Sequence, residues 1–594
     1  MLGSATFTLL GSLLLSSTSH FQEEKPQAPP VVDLAGTNWI GSADTPVAPS
    51  FIALEFPSQS SGQVRLTMPS ALALGKLVDL GGKPGAPTIS LAAGGRSAML
   101  YLEPAPDGIS GRMDVFGADG VTVLQGFPMR LLPWLAPEQM KTNVFYIGNL
   151  DLPGGNELEL HLQLGFDADT ASARLGIPMQ GVERYPSDAK QLENGWFIET
   201  NFGTPVTMEL EIGEDKSLSG LMKQSGAEMS VVLKPVDGAE FNRDRRPQTP
   251  KPPFPYKEIE ARIDHPDGHV LAGSLLLPDG VENPPVAVMI SGSGPQDRDE
   301  SIMGHSPFLV LADHLARQGI ATLRYDDRGF GESTGEFSTA LTSDFATDAL
   351  AAVGWLRDRD DIDDSAIGLI GHSEGGLVAP MAIVEDPTIA FAVLMAGPGV
   401  DGGRILTSQS ERIMKVQGTD AVDIEKIIVL HAEMMDLVRN DAPVEELGAG
   451  YLALIGAQIA TARSKLGDEQ ADQMLADGRA KLAADPQPFT PWMVAFIRTD
   501  PREFLSQLSC PVLAINGTHD VQVISELNLP EIDRAVTTGG GTIKVIEYES
   551  LNHLFQKSET GAVTEYSTIE TTMEPEVLMD ISTWILEVTR RSGS

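Results

Sequence analysis

The sequence predicts an α/β domain on a mostly parallel sheet, preceded by an all-β N-terminal region. Three observations carry this. From "PVAVMISGSG" onward, near-continuous apolar runs alternate with amphipathic helical stretches, the pattern of a sheet covered on both faces. Before residue 240, short alternating runs are separated by Gly, Pro and Asp, the pattern of strands joined by turns. Between the two, "NRDRRPQTPKPPFPYKE" (242–258) is rich in proline, which cannot continue a ladder and stiffens the chain. A chain of 594 residues is too long for one core, and two to four domains are expected.

The first residues read "MLGSATFTLLGSLLLSSTSHFQ". Leu9 to Leu15 is too short an apolar run to span a bilayer, and small residues follow it. This fits a signal peptide over residues 1–20 cleaved near Ser19, hence an exported protein, although no Lys or Arg precedes the run. No later stretch is long and apolar enough for a membrane span. After a Pro-rich connector, "FIALEF", "GQVRLTM", "SAMLYLE" and "VTVLQGF" read as strands. "ELELHLQLGF", "TASARLGI", "GWFIETNF", "VTMELEI" and "SVVLKPV" continue the series. Two landmarks recur at nearly the same offset: "WIGSAD" at Trp39 with "YIGNLD" at Tyr146, and Ser110-Gly111 with Ser219-Gly220. An internal duplication is expected, with one all-β repeat over 21–138 and a second over 139–240. Two small barrels or sandwiches, or two halves of one sandwich, fit equally. A linker over 241–257 and an α/β domain over 258–594 complete the division.

Within that domain, "SPFLVLADHLARQG", "SDFATDALAAVGWLRDR" and "GGLVAPMAIVE" read as helices, and "IATLRYDDRG", "SAIGLIGHS" and "IAFAVLMAGPG" as strands. From about 400 to 500 the alternation stops. "DIEKIIVLHAEMMDLV" and "GYLALIGAQIATARSKLG" are helical, and a helical cap inserted at the C-terminal edge of the sheet is expected. Alternation resumes at "CPVLAING". Cys510 is the only cysteine, so no intrachain disulfide can form, and it reads as an inert core thiol.

The chemistry centres on Gly371-His372-Ser373-Glu374-Gly375, a Gly-x-Ser-x-Gly run between a strand and a helix. Such a sharp turn strains the serine backbone and lifts Oγ clear of the sheet. A hydroxyl needs a base to take its proton. His553, in a loop after the last strand, is the candidate; His431 lies on a cap helix, and His519 directly follows a strand. Asp520, just past "VLAING", is placed to orient the base, with Glu526 as the fallback acid and a helix N-cap as the bland role for Asp520. The order Ser373, Asp520, His553 suits this architecture. For the oxyanion, the N–H of Glu374 is one candidate donor. The Ser291-Gly292-Ser293-Gly294 loop offers the other, with Ser293 first and Gly294 second. Asp297, Arg298, Asp326, Asp327 and Arg328 read as ion pairs bracing the loops. No zinc spacing is found, since His265 and His269 sit in strand and turn sequence, and no cofactor or metal is expected. The base must be neutral to work, so acid should abolish activity.

"ISGSGPQDRDE", "LADHLARQGIATLRYDDRGFGES" and "GHSEGG" make residues 250–594 resemble the α/β-hydrolase superfamily, within it the exported bacterial serine esterases with an N-terminal β region and a helical cap. The resemblance implies hydrolysis of short-acyl carboxylic esters through an acyl-enzyme, and it carries over Ser373, Asp520 and His553 as the triad. The twofold β unit departs from that pattern. A serine peptidase or aminopeptidase of the same fold, or a polysaccharide-binding protein on a vestigial hydrolase, are the alternatives. With 82 acidic against 42 basic side chains and a net charge of −40, the chain should repel nucleic acid and anionic membranes. A small-molecule ester is the expected partner.

Overall fold

The computed structural model describes residues 34–592, apart from short stretches, most of them between strands near the N-terminal end. The expected signal segment, 1–20, lies outside the described residues. Two closed eight-stranded antiparallel barrels come first. One comprises β1 (Asn38–Ala43), β2 (Ser50–Glu55), β3 (Gln63–Met68), β4 (Ala73–Lys83), β5 (Ala86–Ala93), β6 (Arg96–Ala105), β7 (Gly108–Phe116) and β8 (Val123–Pro133). The other comprises β9 (Thr142–Asp151), β10 (Glu157–Phe166), β11 (Ala171–Ile177), β12 (Val182–Leu192), β13 (Gly195–Asn201), β14 (Pro205–Ile212), β15 (Leu218–Gln224) and β16 (Ala227–Val236). Closure comes from β1 pairing with β8 and β9 with β16, which leaves neither sheet an unpaired edge. The strand period fills each interior. In β10, Leu158, Leu160, Leu162 and Leu164 point inward and are buried.

Arg174 on β11 fastens the barrels together. Its guanidinium is 4% exposed and donates to Glu55 of β2 (2.5 Å) and to Glu138 of the connecting segment (3.0 Å). It also lies 5.0 Å from the Trp134 ring centroid. Arg174→Met strands Glu55 and leaves Glu138 only its contact with Arg184 (3.1 Å), and is expected to cost about 1–3 kcal/mol, less than for a wholly buried pair. A lowered urea midpoint for the barrel transition checks this; an unchanged midpoint would count against the fastening role.

After a short helix, α1 (Gly238–Phe241), comes the segment expected to be a linker. It is bonded into the domain that follows. Arg246 donates to the carbonyls of Met303, Ser567 and Ile569, each at 3.0 Å. The Gln248 side chain pairs with the backbone of Thr572 and Met573.

The second half is an eight-stranded sheet ordered β17-β18-β20-β19-β21-β22-β23-β24. Two antiparallel strands open it, β17 (Tyr256–Asp264) and β18 (Val270–Pro278). The sequence reading did not single these out, and β17 starts inside the expected linker. The remaining strands, β19 (Val286–Ile290), β20 (Ala321–Tyr325), β21 (Ile367–His372), β22 (Ala392–Met395), β23 (Val512–Gly517) and β24 (Ile543–Tyr548), pair in parallel with one another. β19 to β23 are buried along their whole lengths, because helices cover both faces. α2 (Pro307–Arg317) and α12 (Pro575–Ser592) pack on one face; α3 (Thr342–Arg357), α4 (Gly375–Glu385) and α11 (Ser525–Thr538) pack on the other. Between β22 and β23 lie α5 (Gly402–Val416), α6 (Ala421–Arg439), α7 (Val444–Leu466), α8 (Asp468–Ala484), α9 (Pro491–Arg498) and α10 (Arg502–Leu505). α6, α7 and α9 share a small core of their own around Ile427, Met434, Leu447 and Ile497. Cys510 is buried just before β23, and burial pushes its thiol up to about 11, out of reach of ordinary reactivity.

Candidate active site

Ser373 follows β21 in a left-handed turn, φ 54°, a strained conformation for a residue with a Cβ. The turn closes through Ser373 N–H to the Met395 carbonyl and Gly376 N–H to the Ser373 carbonyl, each 2.9 Å. Glycine flanks it from necessity. A Cβ on Gly371 would collide with the Gly375 carbonyl, and one on Gly375 with the Ile290 carbonyl. The serine is left half-buried while its neighbours are sealed.

His553 stands in the loop after β24 and is buried. Its Nδ1 lies 2.8 Å from Asp520 Oδ2. Asp520 is fully buried, and its other oxygen accepts the N–H groups of Gln522 (2.7 Å) and Val523 (2.9 Å). α11 begins at Ser525, so Asp520 is no helix cap; its backbone bonds hold the loop after β23 and aim Oδ2 at the imidazole. The carboxylate thereby places the proton on Nδ1 and leaves Nε2 as the acceptor. The His553 ring lies beside His372, the residue preceding Ser373, with centroids 4.7 Å apart. Among the described residues, no hydrogen bond joins Ser373 Oγ to His553; such nucleophile–base bonds commonly tighten only in the complex with substrate. Glu526, the fallback acid, is exposed and pairs with Arg412. His431 is buried in the cap against Thr407, and His519 bonds the Ser558 carbonyl.

The loop after β19 passes close to the nucleophile. A Cβ on Gly292 would sit 3.1 Å from that of Ser373, so a residue without a side chain allows the approach. The Gly292 N–H is engaged by Glu300 at 2.9 Å. Among the described residues, the N–H groups of Ser293, Gly294 and Glu374 donate to no protein acceptor, which leaves them for a ligand oxygen.

Asp327 supports this loop, accepting from Ser291 Oγ (2.9 Å) and Gln296 N–H (2.8 Å). Burial pushes its carboxyl up to about 8 against those two donors, with Asp348 and Glu300 adding to the rise. Arg298 pairs with Asp326 (2.7 Å) and Arg328 with Asp348 (2.7 Å). Asp297 instead accepts the N–H groups of Asp299 and Ser301. Glu374 was expected to contribute only its N–H, but its side chain matters too. Oε1 accepts from Thr342 Oγ1 (2.6 Å) and from Trp492 Nε1 of α9 (2.8 Å), tying the cap to the turn. Burial raises the Glu374 carboxyl, opposed by those two donors. A small pocket of about 10 Å³ lies behind, bordered by Asp327, Asp348 and Glu374.

His265 and His269 do come together, across the β17–β18 turn, with Asp348 of α3, a grouping the spacing argument missed. Their rings stack at 4.1 Å. The chemistry of the set does not suit a cation. Arg328 donates twice to Asp348, and His265 Nδ1 accepts the Asp267 N–H, so its Nε2 carries the hydrogen facing Thr347. The cluster reads as a satisfied structural network.

The X-Pro dipeptidyl-peptidase (S15) family profile matches residues 267–529. Esterase EstD of Thermotoga maritima is 25% identical over 320 residues, which span 53% of this chain and 66% of that protein, just under two thirds. An uncharacterised 31.7 kDa protein from the traX-finO intergenic region of Escherichia coli is 31% identical over 105 residues, 17% of this chain and 36% of its own. Among solved structures, the Pyrococcus furiosus esterase Pf2001 aligns at TM-score 0.35 and 17% identity, covering 57% of this chain and 91% of its own. Est1E from Butyrivibrio proteoclasticus aligns at TM-score 0.33 and 16% identity, covering 56% and 99%. The Gly-x-Ser-x-Gly turn, the Asp–His pair in the loops after β23 and β24, and the two matches that begin this comparison support membership of the α/β-hydrolase superfamily.

Proposed function

We propose that the protein hydrolyses carboxylic esters of short acyl chains through an acyl-enzyme. The observation that carries this is the Asp520–His553 pair beside a strained, half-buried Ser373, under N–H groups with no protein acceptor. In this reading His553 Nε2 takes the Ser373 proton as Oγ bonds to the acyl carbon. The carbonyl π pair moves onto oxygen, held by the N–H groups of Glu374 and Ser293, with Gly294 second. When the tetrahedral adduct collapses, the C–O bond to the alcohol breaks and His553 returns the proton to the leaving oxygen. Water, deprotonated by the same nitrogen, then releases the acid and restores the serine.

A second reading has one observation in its favour, the match to the X-Pro dipeptidyl-peptidase family. Presenting one acyl group as a p-nitrophenyl ester and as a p-nitroanilide, over acyl lengths from acetyl upward, separates the two. The expected result is turnover of acetyl and butyryl esters with little turnover of the amides. Preference for a dipeptidyl anilide would sink the esterase reading. The Asp520–His553 hydrogen bond and the strained Ser373 turn speak against a vestigial hydrolase whose only role is polysaccharide binding.

Two further readings accompany this. The barrels are proposed to derive from duplication. In support, glycines whose added Cβ would strike a neighbouring carbonyl recur on the same strands, Gly41 and Gly111 in one and Gly148 and Gly220 in the other. Export is proposed from the Leu9–Leu15 run; the native protein should begin near Ser19, and mature material retaining Met1 would refute it.

A further inference from the structure

One buried pair outside the triad touches two of its supports. His372 ends β21 and is 4% exposed. Its Nδ1 lies 2.8 Å from Glu300 Oε1, and its Nε2 lies 2.9 Å from the backbone carbonyl oxygen of His553. The same Glu300 oxygen accepts the Gly292 N–H at 2.9 Å. Both groups facing the imidazole are acceptors: a backbone carbonyl cannot donate, and an ionised carboxylate cannot either. A neutral imidazole has one N–H, so with an ionised Glu300 one of the two contacts would set lone pair against lone pair.

Building on the ester-hydrolase reading, we propose that Glu300 and His372 are positioning residues, an internal ion pair whose imidazolium donates from both nitrogens and so fixes the His553 backbone and the oxyanion loop in one register. The proton count is simple. One proton sits on Nε2 toward the His553 carbonyl, a second lies between Nδ1 and Oε1, and the pair carries no net charge. Nothing in the triad does this work: Asp520 orients the His553 ring, whereas His372 holds the main chain that carries it. Gly292 is the residue before the Ser293 donor, so Glu300 sets where that donor stands.

Three observations support the pair. Burial alone would drive the His372 imidazole down, but the Glu300 charge and hydrogen bond and the His553 carbonyl outweigh it, with Asp520 adding in the same sense, and the group is raised. These, with the His553 ring itself, are the titratable groups that face it. Second, the loop carrying Glu300 is held in place at a cost, with positive φ at Glu300 (53°) and Met303 (50°). Arg246 grips the Met303 carbonyl, and His305, two residues on, is clasped between Thr572 Oγ1 and the Tyr566 carbonyl. Third, among the described residues Glu300 Oε2 is buried without a hydrogen-bond partner, which destabilises the fold and asks for a reason other than stability.

Nitrogen-15 NMR of histidine-labelled full-length enzyme between pH 6 and 8 tests the ionisation, with His372→Gln to assign the signal. His372 should keep two protonated ring nitrogens throughout. A single N–H at pH 8 would overturn the proposal. Kinetics tests the role without depending on one variant. Glu300→Ala should lower kcat about 10²-fold, the usual cost of a misplacement near 1 Å, with KM within about threefold. Glu300→Gln, which keeps an acceptor for Gly292, should recover part of that loss. Unchanged kcat in Glu300→Ala, while a fluorophosphonate still labels Ser373, overturns this inference alone. Failure of that reagent to label the unsubstituted enzyme overturns the hydrolase reading and this inference with it.

Discussion

Ser373→Ala is expected to remove ester turnover almost entirely, lowering kcat by about 10⁶-fold with KM little changed. The argument is local. The methyl side chain fits the same turn, so the backbone that packs Gly371 against Gly375 is undisturbed and the protein should fold as before. What is lost is the atom that, in the proposed mechanism, bonds to the acyl carbon. Residual turnover should not be zero, because the proposed oxyanion donors, the N–H groups of Glu374 and Ser293, are left in place by the substitution. The check is a p-nitrophenyl acetate assay on purified variant, with intact-mass analysis after fluorophosphonate treatment. Activity within tenfold of the unsubstituted protein would remove Ser373 from the mechanism.

Asp520→Asn should cost about 10⁴-fold in kcat, and the reason is directional. Oδ1 of Asp520 accepts two backbone N–H groups, from Gln522 and Val523, and Oδ2 accepts from His553 Nδ1. An asparagine must keep its oxygen on the two backbone donors, since its NH₂ cannot accept them. The NH₂ is then turned to His553, where only an unprotonated Nδ1 suits it. The hydrogen moves to Nε2, and the nitrogen that should take the serine proton has no lone pair to offer. Stability should fall little, because the loop bonds persist. Asp520→Ala would lose those as well, so a large kcat loss in the Asn variant with an unchanged thermal midpoint is the informative result. Equal activity in the Asn variant would mean that another group orients the base.

Which parts of this were readable in advance follows from how far apart the interacting residues lie. β19, β21 and β23 are buried on both faces, so their apolar runs stand out in the sequence. β17 and β18 did not: β17 is half exposed and abuts prolines, so its alternation is easily taken for linker. The strand-rich nature of the first half was visible in short periodic runs. Closure was not, because it depends on β1 finding β8 and β9 finding β16 across a whole barrel, which left sandwich and barrel undivided. At the site, the Gly-x-Ser-x-Gly turn announces itself through local sterics. The partner of His372 does not, since Glu300 lies 72 residues earlier at the end of an Asp- and Arg-rich run whose charges read as ion pairs among themselves bracing the loops. A histidine at the end of an otherwise apolar strand was the available signal. His265 and His269 were set aside on a helical criterion, whereas a turn between antiparallel strands brought the rings face to face.

The grip of Arg246 and Gln248 on the last third of the chain bears on how this protein can be cut. A fragment begun at Tyr256, where the sheet starts, would leave the backbone oxygens of Ser567, Ile569 and Met573 bare beside the loop that leads to Glu300. A fragment of the second half is therefore expected to keep its wall intact only if its border lies before Arg246, since what reads as a tether between modules is bonded to it as an outer layer.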